Sequence, residues 1–143
     1  ALLLAALLEK ATTVTSLDAA FNSLGPDSTL LLARSAAVGR SVTALDLSGN
    51  DTGSAGCVRA AVGCWPEGLT KLALCYNQIR DVSQLSLPPG LKELDLSSNQ
   101  IADVSQLTLP EGLEVLDLSG NHVADMSQLT LPKGCELREA ASQ

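Results

Sequence analysis

Apolar and polar positions repeat in one short pattern five times along the chain. Each copy has apolar or small residues at its first, fourth and sixth positions and asparagine at its ninth; the copies are residues 14–22, 42–50, 69–77, 91–99 and 113–121. Alternation with a period of two is typical of a β-strand with one buried face. The pattern therefore predicts five short strands, in which for example Leu94 and Leu96 point inward and Asp95 points outward.

The spacing of these strands indicates a repeat protein. Their first residues, at 14, 42, 69, 91 and 113, give repeat lengths of 28, 27, 22 and 22 residues. This period and apolar spacing resemble the leucine-rich repeat over roughly residues 1–134. The resemblance implies an α/β solenoid, a curved right-handed coil with a parallel β-sheet on its concave face and helices or 3₁₀ turns on its convex face.

The asparagine that ends each copy is predicted to be structural. Its side-chain amide offers both donors and acceptors, so it can bind the backbone of neighbouring coils where the chain leaves the strand. This prediction covers Asn22, Asn50, Asn77, Asn99 and Asn121.

The segments that return to the next strand fall into two classes. Residues 26–37 and 55–62 are rich in helix formers and predict return α-helices, as in ribonuclease-inhibitor-like repeats, which they resemble. The short repeats carry Asp-x-Ser-Gln-Leu at 81–85, 103–107 and 125–129, followed by Leu-Pro-x-Gly. Five residues predict a single 3₁₀-like turn capped by the Asp side chain. These coils resemble the 22-residue class of small cytosolic and axonemal regulatory proteins.

The chain is predicted to be a single domain, residues 1–143. Residues 1–13 are interpreted as the helix of a truncated preceding repeat, 14–68 as two long repeats, 69–134 as three short repeats and 135–143 as a C-terminal cap. In this register Cys135 takes a leucine position but Arg138 falls where Leu116 would recur. No sixth regular coil is therefore expected after residue 140.

Two further features lie at the N-terminus and at the junction between the two classes. Leu2, Leu3 and Leu7 belong to an apolar segment with no preceding strand to cover it, which predicts self-association or docking on a partner. Trp65 occupies the leucine column at the junction. There it either fills a mismatch in the core or serves as an exposed binding anchor.

Composition limits the class of partner. Asp and Glu total 16 against 9 Lys and Arg, a net charge of −7, which argues against nucleic acid or an anionic membrane and favours a protein with a basic surface patch. The apolar segment at residues 1–8 is too short for direct membrane insertion. The cysteines at 57, 64, 75 and 135 form no CxxC pair and predict free thiols in an intracellular compartment, cytoplasmic or organellar. The sequence has no initiator Met, which is compatible with a processed form or with a fragment that has lost a targeting peptide or further repeats upstream.

The sequence predicts neither catalysis nor a cofactor. The sole histidine, His122, has no nucleophile at a suggestive spacing, and no His or Cys pair has the spacing of metal ligands. No phosphate-binding glycine motif is present. Ran GTPase-activating proteins are the enzymatic relatives that the long repeats resemble, but nothing here matches their catalytic loop. We therefore predict a non-enzyme without cofactor or metal.

The concave face is the candidate site, because solenoids usually bind through it. One outward column holds Asp18, Asp46, Ala73, Asp95 and Asp117, and the next holds Ala20, Ser48, Cys75, Ser97 and Ser119. Tyr76 is interpreted as the central anchor. The candidate partner-binding residues are Asp18, Asp46, Lys71, Cys75, Tyr76, Glu93, Asp95 and Asp117. The alternative is that the acids keep the sheet soluble and that the third repeat is irregular only because the two classes meet there.

The predicted function is that of a non-catalytic protein-interaction module. One alternative is a structural accessory subunit held permanently in a larger assembly, and another is a regulator of a GTPase or phosphatase. Fold alone cannot name the partner.

Overall fold

Two helices and six strands make up the described part of the chain. The structure is a computed structural model and describes residues 1–53 and 65–139. The helices and strands, in chain order, are α1 (Leu2–Lys10), β1 (Ser16–Asp18), α2 (Gly25–Gly39), β2 (Ala44–Asp46), β3 (Lys71–Ala73), β4 (Glu93–Asp95), β5 (Val115–Asp117) and β6 (Glu136–Arg138).

The six strands form one open parallel sheet in sequential order. Each strand pairs with the next through its central leucine, so Leu17, Leu45, Leu72, Leu94, Leu116 and Leu137 form one row across the sheet. Every connection returns the chain to the neighbouring strand in the same direction, which produces the stacked coils of a solenoid. The predicted leucine-rich repeat solenoid is confirmed.

The core is a continuous aliphatic stack beneath this sheet. Leu94 and Leu96 are 1% and 0% exposed, whereas Asp95 between them is half-buried, so the predicted inward and outward positions are confirmed. The convex side contributes Ile79 and Val82, which are also buried. Because each coil covers the leucines of its neighbours, the stability of one coil depends on the next.

The return segments differ as predicted where the structure describes them. Helix α2 covers the predicted segment 26–37, and α1 covers most of residues 1–10. The two helices pack closely at Gly39, because a Cβ there would overlap the carbonyl oxygen of Leu8. The helix predicted at residues 55–62 lies outside the described residues.

The short repeats turn without a helix. In each one a backbone hydrogen bond joins residues that are three positions apart. The N–H of Leu85 donates to the carbonyl of Val82 at 3.1 Å, and the next two coils have equivalent bonds. The preceding aspartate caps the turn, since Asp81 Oδ1 accepts the N–H of Ser83 at 2.8 Å and Asp103 Oδ1 accepts that of Ser105 at 2.8 Å. The predicted capped turn is confirmed.

Trp65 belongs to the core. It is 8% exposed, and its Nε1–H donates to the carbonyl oxygen of Ser86 in the following coil at 2.8 Å. A buried indole needs such a partner for its N–H. Of the two interpretations left open by the sequence, an exposed anchor is excluded.

The C-terminal register was wrong. Strand β6 continues the sheet, and Leu137, not Arg138, pairs with Leu116. The N–H of Cys135 bonds the carbonyl of Pro132, just as that of Leu113 bonds Pro110. The last coil therefore has one residue fewer between its turn and its strand, which shifts every later side chain by one position. The cap assigned to residues 135–143 stays a prediction.

The outer surface of α1 carries exposed leucines. Leu2, Leu3 and Leu7 are 79%, 76% and 59% exposed, and only Ala5 and Leu8 of this helix are buried. Neither described helix is long and apolar enough to cross a membrane. We expect the isolated chain to self-associate through this face, because contiguous exposed apolar surface favours association.

Sedimentation velocity at several protein concentrations checks this expectation. Leu2→Glu with Leu3→Glu should shift the distribution toward monomer. The control is Val38→Glu, which places a single glutamate at a 59% exposed apolar position of α2 and should leave self-association intact. A monodisperse monomer of the unmodified chain would contradict the expectation.

Candidate functional site

A row of asparagines fixes the backbone where each strand ends. The amide of Asn77 donates to the carbonyl of Leu74 in its own coil at 3.1 Å and to that of Leu47 in the preceding coil at 3.0 Å. Its Oδ1 accepts the N–H of Asn50 at 2.9 Å. Asn99 repeats these bonds one coil later. The structural role predicted for the asparagines is confirmed, and it holds the surface side chains of successive coils in register.

The outer face of the sheet forms a shallow groove of about 380 Å³. The strand side chains that line it and were expected there are Asp18, Asp46, Lys71, Glu93, Asp95 and Asp117. Ala73 interrupts the row of aspartates between Asp46 and Asp95, because β3 carries alanine at that position. The parallel register thus brings six of the eight candidate residues onto one surface.

Each aspartate of the row also has a local role that the sequence interpretation missed. Asp95 Oδ1 accepts the backbone N–H of Ser97 at 2.9 Å, and Asp46 Oδ1 accepts that of Ser48 at 3.0 Å. Such Asx turns are a usual way for aspartate to satisfy a backbone donor at a turn. The aspartates therefore shape the chain at the strand ends, and they add negative charge to the groove.

The basic groups of the groove are paired with acids. Lys71 Nζ lies 3.5 Å from Glu93 Oε2, on the neighbouring strand. Arg138 Nε donates to Glu136 Oε1 at 2.8 Å; this bond and the charge of Glu136 raise the pKa of Arg138, and the charge of Asp117 adds to the effect. Arg138 ends the row of aspartates. Its place in this row was not predicted from the sequence, because the one-residue shortening before β6 hid its alignment with Asp117.

Cys75 and Tyr76 do not line this groove, and their role in partner binding stays a prediction. Both follow β3, where the chain has already left the sheet surface. Cys75 is half-buried, and its Sγ–H donates to Ser48 Oγ at 3.0 Å. Ser48 is only 1% exposed, so its predicted outward position is wrong. Burial raises the pKa of the Cys75 thiol, with contributions from Asp95 and Asp46. A thiol with a raised pKa is a poor nucleophile.

Tyr76 instead lies just beyond the C-terminal end of β3, where it is 57% exposed and contacts Phe21, which follows β1 in the same way. The two ring centroids are 5.9 Å apart with an angle of 50° between the ring planes. Phe21 is not among the site residues predicted from the sequence. The available signal was its position, because Phe21 and Tyr76 both immediately precede a repeat asparagine.

Ligands for a metal ion do not converge anywhere in residues 1–53 and 65–139. No group of three His, Cys, Asp or Glu side chains there is arranged to hold an ion. The backbone N–H of His122 bonds the carbonyl of Ile101 in the preceding coil at 2.8 Å, which places this exposed residue in the edge of the repeat.

Comparison with known proteins agrees with this architecture. The Leucine rich repeat family profile matches residues 67–123, and a second Leucine Rich repeat profile matches residues 40–58. Among curated proteins there is no significant sequence match.

Solved structures include two similar bacterial proteins. An internalin (InlF) from Listeria monocytogenes has a TM-score of 0.53 at 21% identity, covering 95% of this chain and 50% of that one. Internalin C2 (InlC2) from the same organism has a TM-score of 0.39 at 17% identity, covering 90% of this chain and 77% of that one. The chain thus spans about half the length of InlF, with which it shares the fold. Given its repeats, its sheet and the two matching profiles, the chain is a leucine-rich repeat protein.

Proposed function

We propose that the chain is a non-catalytic module that binds a protein with a basic surface patch in the concave groove. Leucine-rich repeat proteins generally bind proteins, which supports this class of function. Rigid parallel strands hold the groove side chains at fixed spacings, so a complementary surface binds without a large ordering cost. The free thiols of Cys75 and Cys135 support an intracellular location as part of the proposal.

The observation that carries the proposal is the charge of the groove. Lys71 and Arg138 are each paired with a glutamate, whereas Asp18, Asp46, Asp95 and Asp117 add four further carboxylates along one surface. A carboxylate can accept several hydrogen bonds, so Oδ1 remains in its turn while the charge still attracts a cation. Potential of one sign over a groove steers an oppositely charged partner and speeds association.

The test neutralises two aspartates without breaking their turns. Asp95→Asn with Asp117→Asn keeps a side-chain Oδ1 for the N–H groups of Ser97 and Ser119 but removes both charges. Proteins captured by the immobilised chain from a lysate are quantified by mass spectrometry. The partner identified in this way is then measured by surface plasmon resonance over a series of salt concentrations. We expect association about tenfold slower and a shallower salt dependence.

A matched control lies on the opposite face of the same coils. Asp103→Asn with Asp125→Asn removes the same charge from two aspartates that cap Ser105 and Ser127 in the same way. These convex positions should leave binding almost unchanged. If the concave pair changes neither affinity nor salt dependence, or if both pairs act equally, the groove is not the binding surface.

The exposed leucines of α1 favour a second candidate, a permanent accessory subunit. Interfaces of obligate complexes are larger and more apolar than those of transient ones. In that case the partner would cover Leu2, Leu3 and Leu7, and Leu2→Glu with Leu3→Glu would abolish capture while the groove variants would not.

A further inference from the structure

An exposed aromatic pair lies beyond the C-terminal ends of the strands, outside the lining of the concave groove. The chain has one Phe, one Tyr and one Trp. Trp65 is buried in the core, but Phe21 and Tyr76 are 67% and 57% exposed and contact each other. Large aromatic side chains stabilise a fold mainly by burial. Two exposed rings held against each other therefore offer the core little and present apolar area to a partner.

The pair lies at a position where the repeat has a left-handed backbone. Phe21 and Tyr76 both have a φ of 56°, and Ser98 and Gly120 at the equivalent position have φ values of 52° and 68°. Between them, at the same position of the intervening coil, is Gly49 with a φ of 65°. A Cβ at Gly49 would overlap the ring of Phe21. Glycine at this position thus lets the Phe21 ring extend across one coil and reach Tyr76.

A trough of about 340 Å³ continues from Tyr76 across the next two coils. Small residues form its floor, since Ser98 and Gly120 occupy the positions equivalent to Tyr76. Its sides include the polar side chains of Gln78 and Gln100. The trough is therefore a shallow channel with an aromatic ring at one end and amide groups along it.

Charge decides which kind of side chain suits this surface. Gln78 Nε2 donates to Asp51 Oδ1 at 3.3 Å, which places a carboxylate beside the aromatic end of the trough. Arg80 Nε donates to Gln100 Oε1 at 2.7 Å, so this guanidinium group is held at Gln100, one coil away from the aromatic end of the trough. With a net charge of −7, the protein favours a cationic ligand at the aromatic end.

We propose that Phe21 and Tyr76 bind an arginine side chain of a partner protein, with its guanidinium group against the two rings at the aromatic end of the trough. A guanidinium group is planar and weakly hydrated and stacks on aromatic rings, which suits it better than the compact ammonium of lysine. This contact extends the proposed binding of a basic protein to a second surface. Either surface can fail without the other.

Nuclear magnetic resonance tests the contact directly. Because each aromatic residue type occurs once, the ring signals of Phe21, Tyr76 and Trp65 are assigned by type alone. The probe is the peptide acetyl-Gly-Arg-Gly-amide, and its neutral isostere contains citrulline. We expect saturable shifts of the Phe21 and Tyr76 rings, no shift of the buried Trp65 ring, and about two- to fivefold weaker binding of the citrulline peptide. Equal binding of the two peptides, or shifts equally large at Trp65, would overturn the proposal.

Two variants test the geometry. Gly49→Ala should displace the Phe21 ring and abolish the response to the arginine peptide. Gly25→Ala introduces the same residue at a left-handed φ of 73° with open space around the added carbon, and it should retain the response. Tyr76→Leu removes a ring at an exposed position and should abolish the Phe21 shift. A full response in Gly49→Ala or Tyr76→Leu rules out the aromatic pair.

The groove variants separate this inference from the proposed function. Asp95→Asn with Asp117→Asn should leave the peptide-induced ring shifts unchanged, whatever its effect on partner binding. If these substitutions remove the ring shifts, the arginine peptide binds in the concave groove, and the proposed site at Phe21 and Tyr76 is refuted. If the ring shifts persist and the groove substitutions change neither the affinity nor the salt dependence of partner binding, only the proposed function is refuted.

Discussion

Replacing Asn77 with alanine is expected to destabilise the fold by about 3–5 kcal/mol, because it leaves buried backbone groups without partners. Asn77 is 0% exposed, and its Oδ1 accepts the N–H groups of Asn50 and Thr52 at 2.9 and 3.3 Å. Its amide also donates to Leu74 and, across to the preceding coil, to Leu47. A methyl group can replace none of these bonds. The free energy of unfolding from urea denaturation, followed by circular dichroism, measures the loss.

Asn22 is the matched control for this substitution. It occupies the same position of the first repeat, but it is exposed and its amide donates to Ala19 and Ala20 within its own coil. Because water can replace these bonds, Asn22→Ala should cost no more than about 1 kcal/mol. Equal losses at the two positions would show that the bonds between coils contribute nothing beyond local turn formation.

The fold could be predicted from the sequence because burial in a solenoid repeats with the chain. The leucines equivalent to Leu94 have equivalent neighbours in each coil, so their regular spacing along the sequence is enough to predict that they point inward. The asparagines are similarly informative, since the amide groups of Asn50, Asn77, Asn99 and Asn121 each donate to the backbone of the preceding coil at the same place. The prediction failed at β6 because the last coil has one residue fewer before Leu137. A single short segment does not show at which position the residue is missing, so the register of the strand could not be read from its sequence.

The surface was less predictable than the core. The strand register placed the aspartates on one face, but the Asx turn from Asp95 to Ser97 depends on backbone direction after the strand. The contact between Phe21 and Tyr76 joins residues two coils apart, and it requires glycine at position 49 of the coil between them. Periodicity describes what every coil shares. Contacts that occur in one place only arise from departures from the repeat, and they are the contacts that distinguish one binding surface from another.

Replacing Leu94 with alanine is the strongest test of the shared core. The side chain is 1% exposed and its strand lies between those of Leu72 and Leu116, so neighbouring coils pack on both sides. We expect a loss of about 2–5 kcal/mol in the free energy of unfolding, from lost burial and from the cavity that remains. Urea denaturation of the purified variant measures it.

Leu3→Ala deletes the same atoms from a leucine that is 76% exposed, and it should change the stability of the monomeric chain, measured at low protein concentration, by no more than about 0.5 kcal/mol. Asp95→Ala falls between them, at about 1 kcal/mol, because the half-buried carboxylate accepts the N–H of Ser97. The three losses in the free energy of unfolding therefore separate three effects. Leu94→Ala reports burial, Asp95→Ala reports a backbone hydrogen bond, and Leu3→Ala reports an exposed leucine. Should Leu3→Ala cost as much as Leu94→Ala, the leucines of α1 are covered in solution, and the inward row of the sheet has no special share in stability.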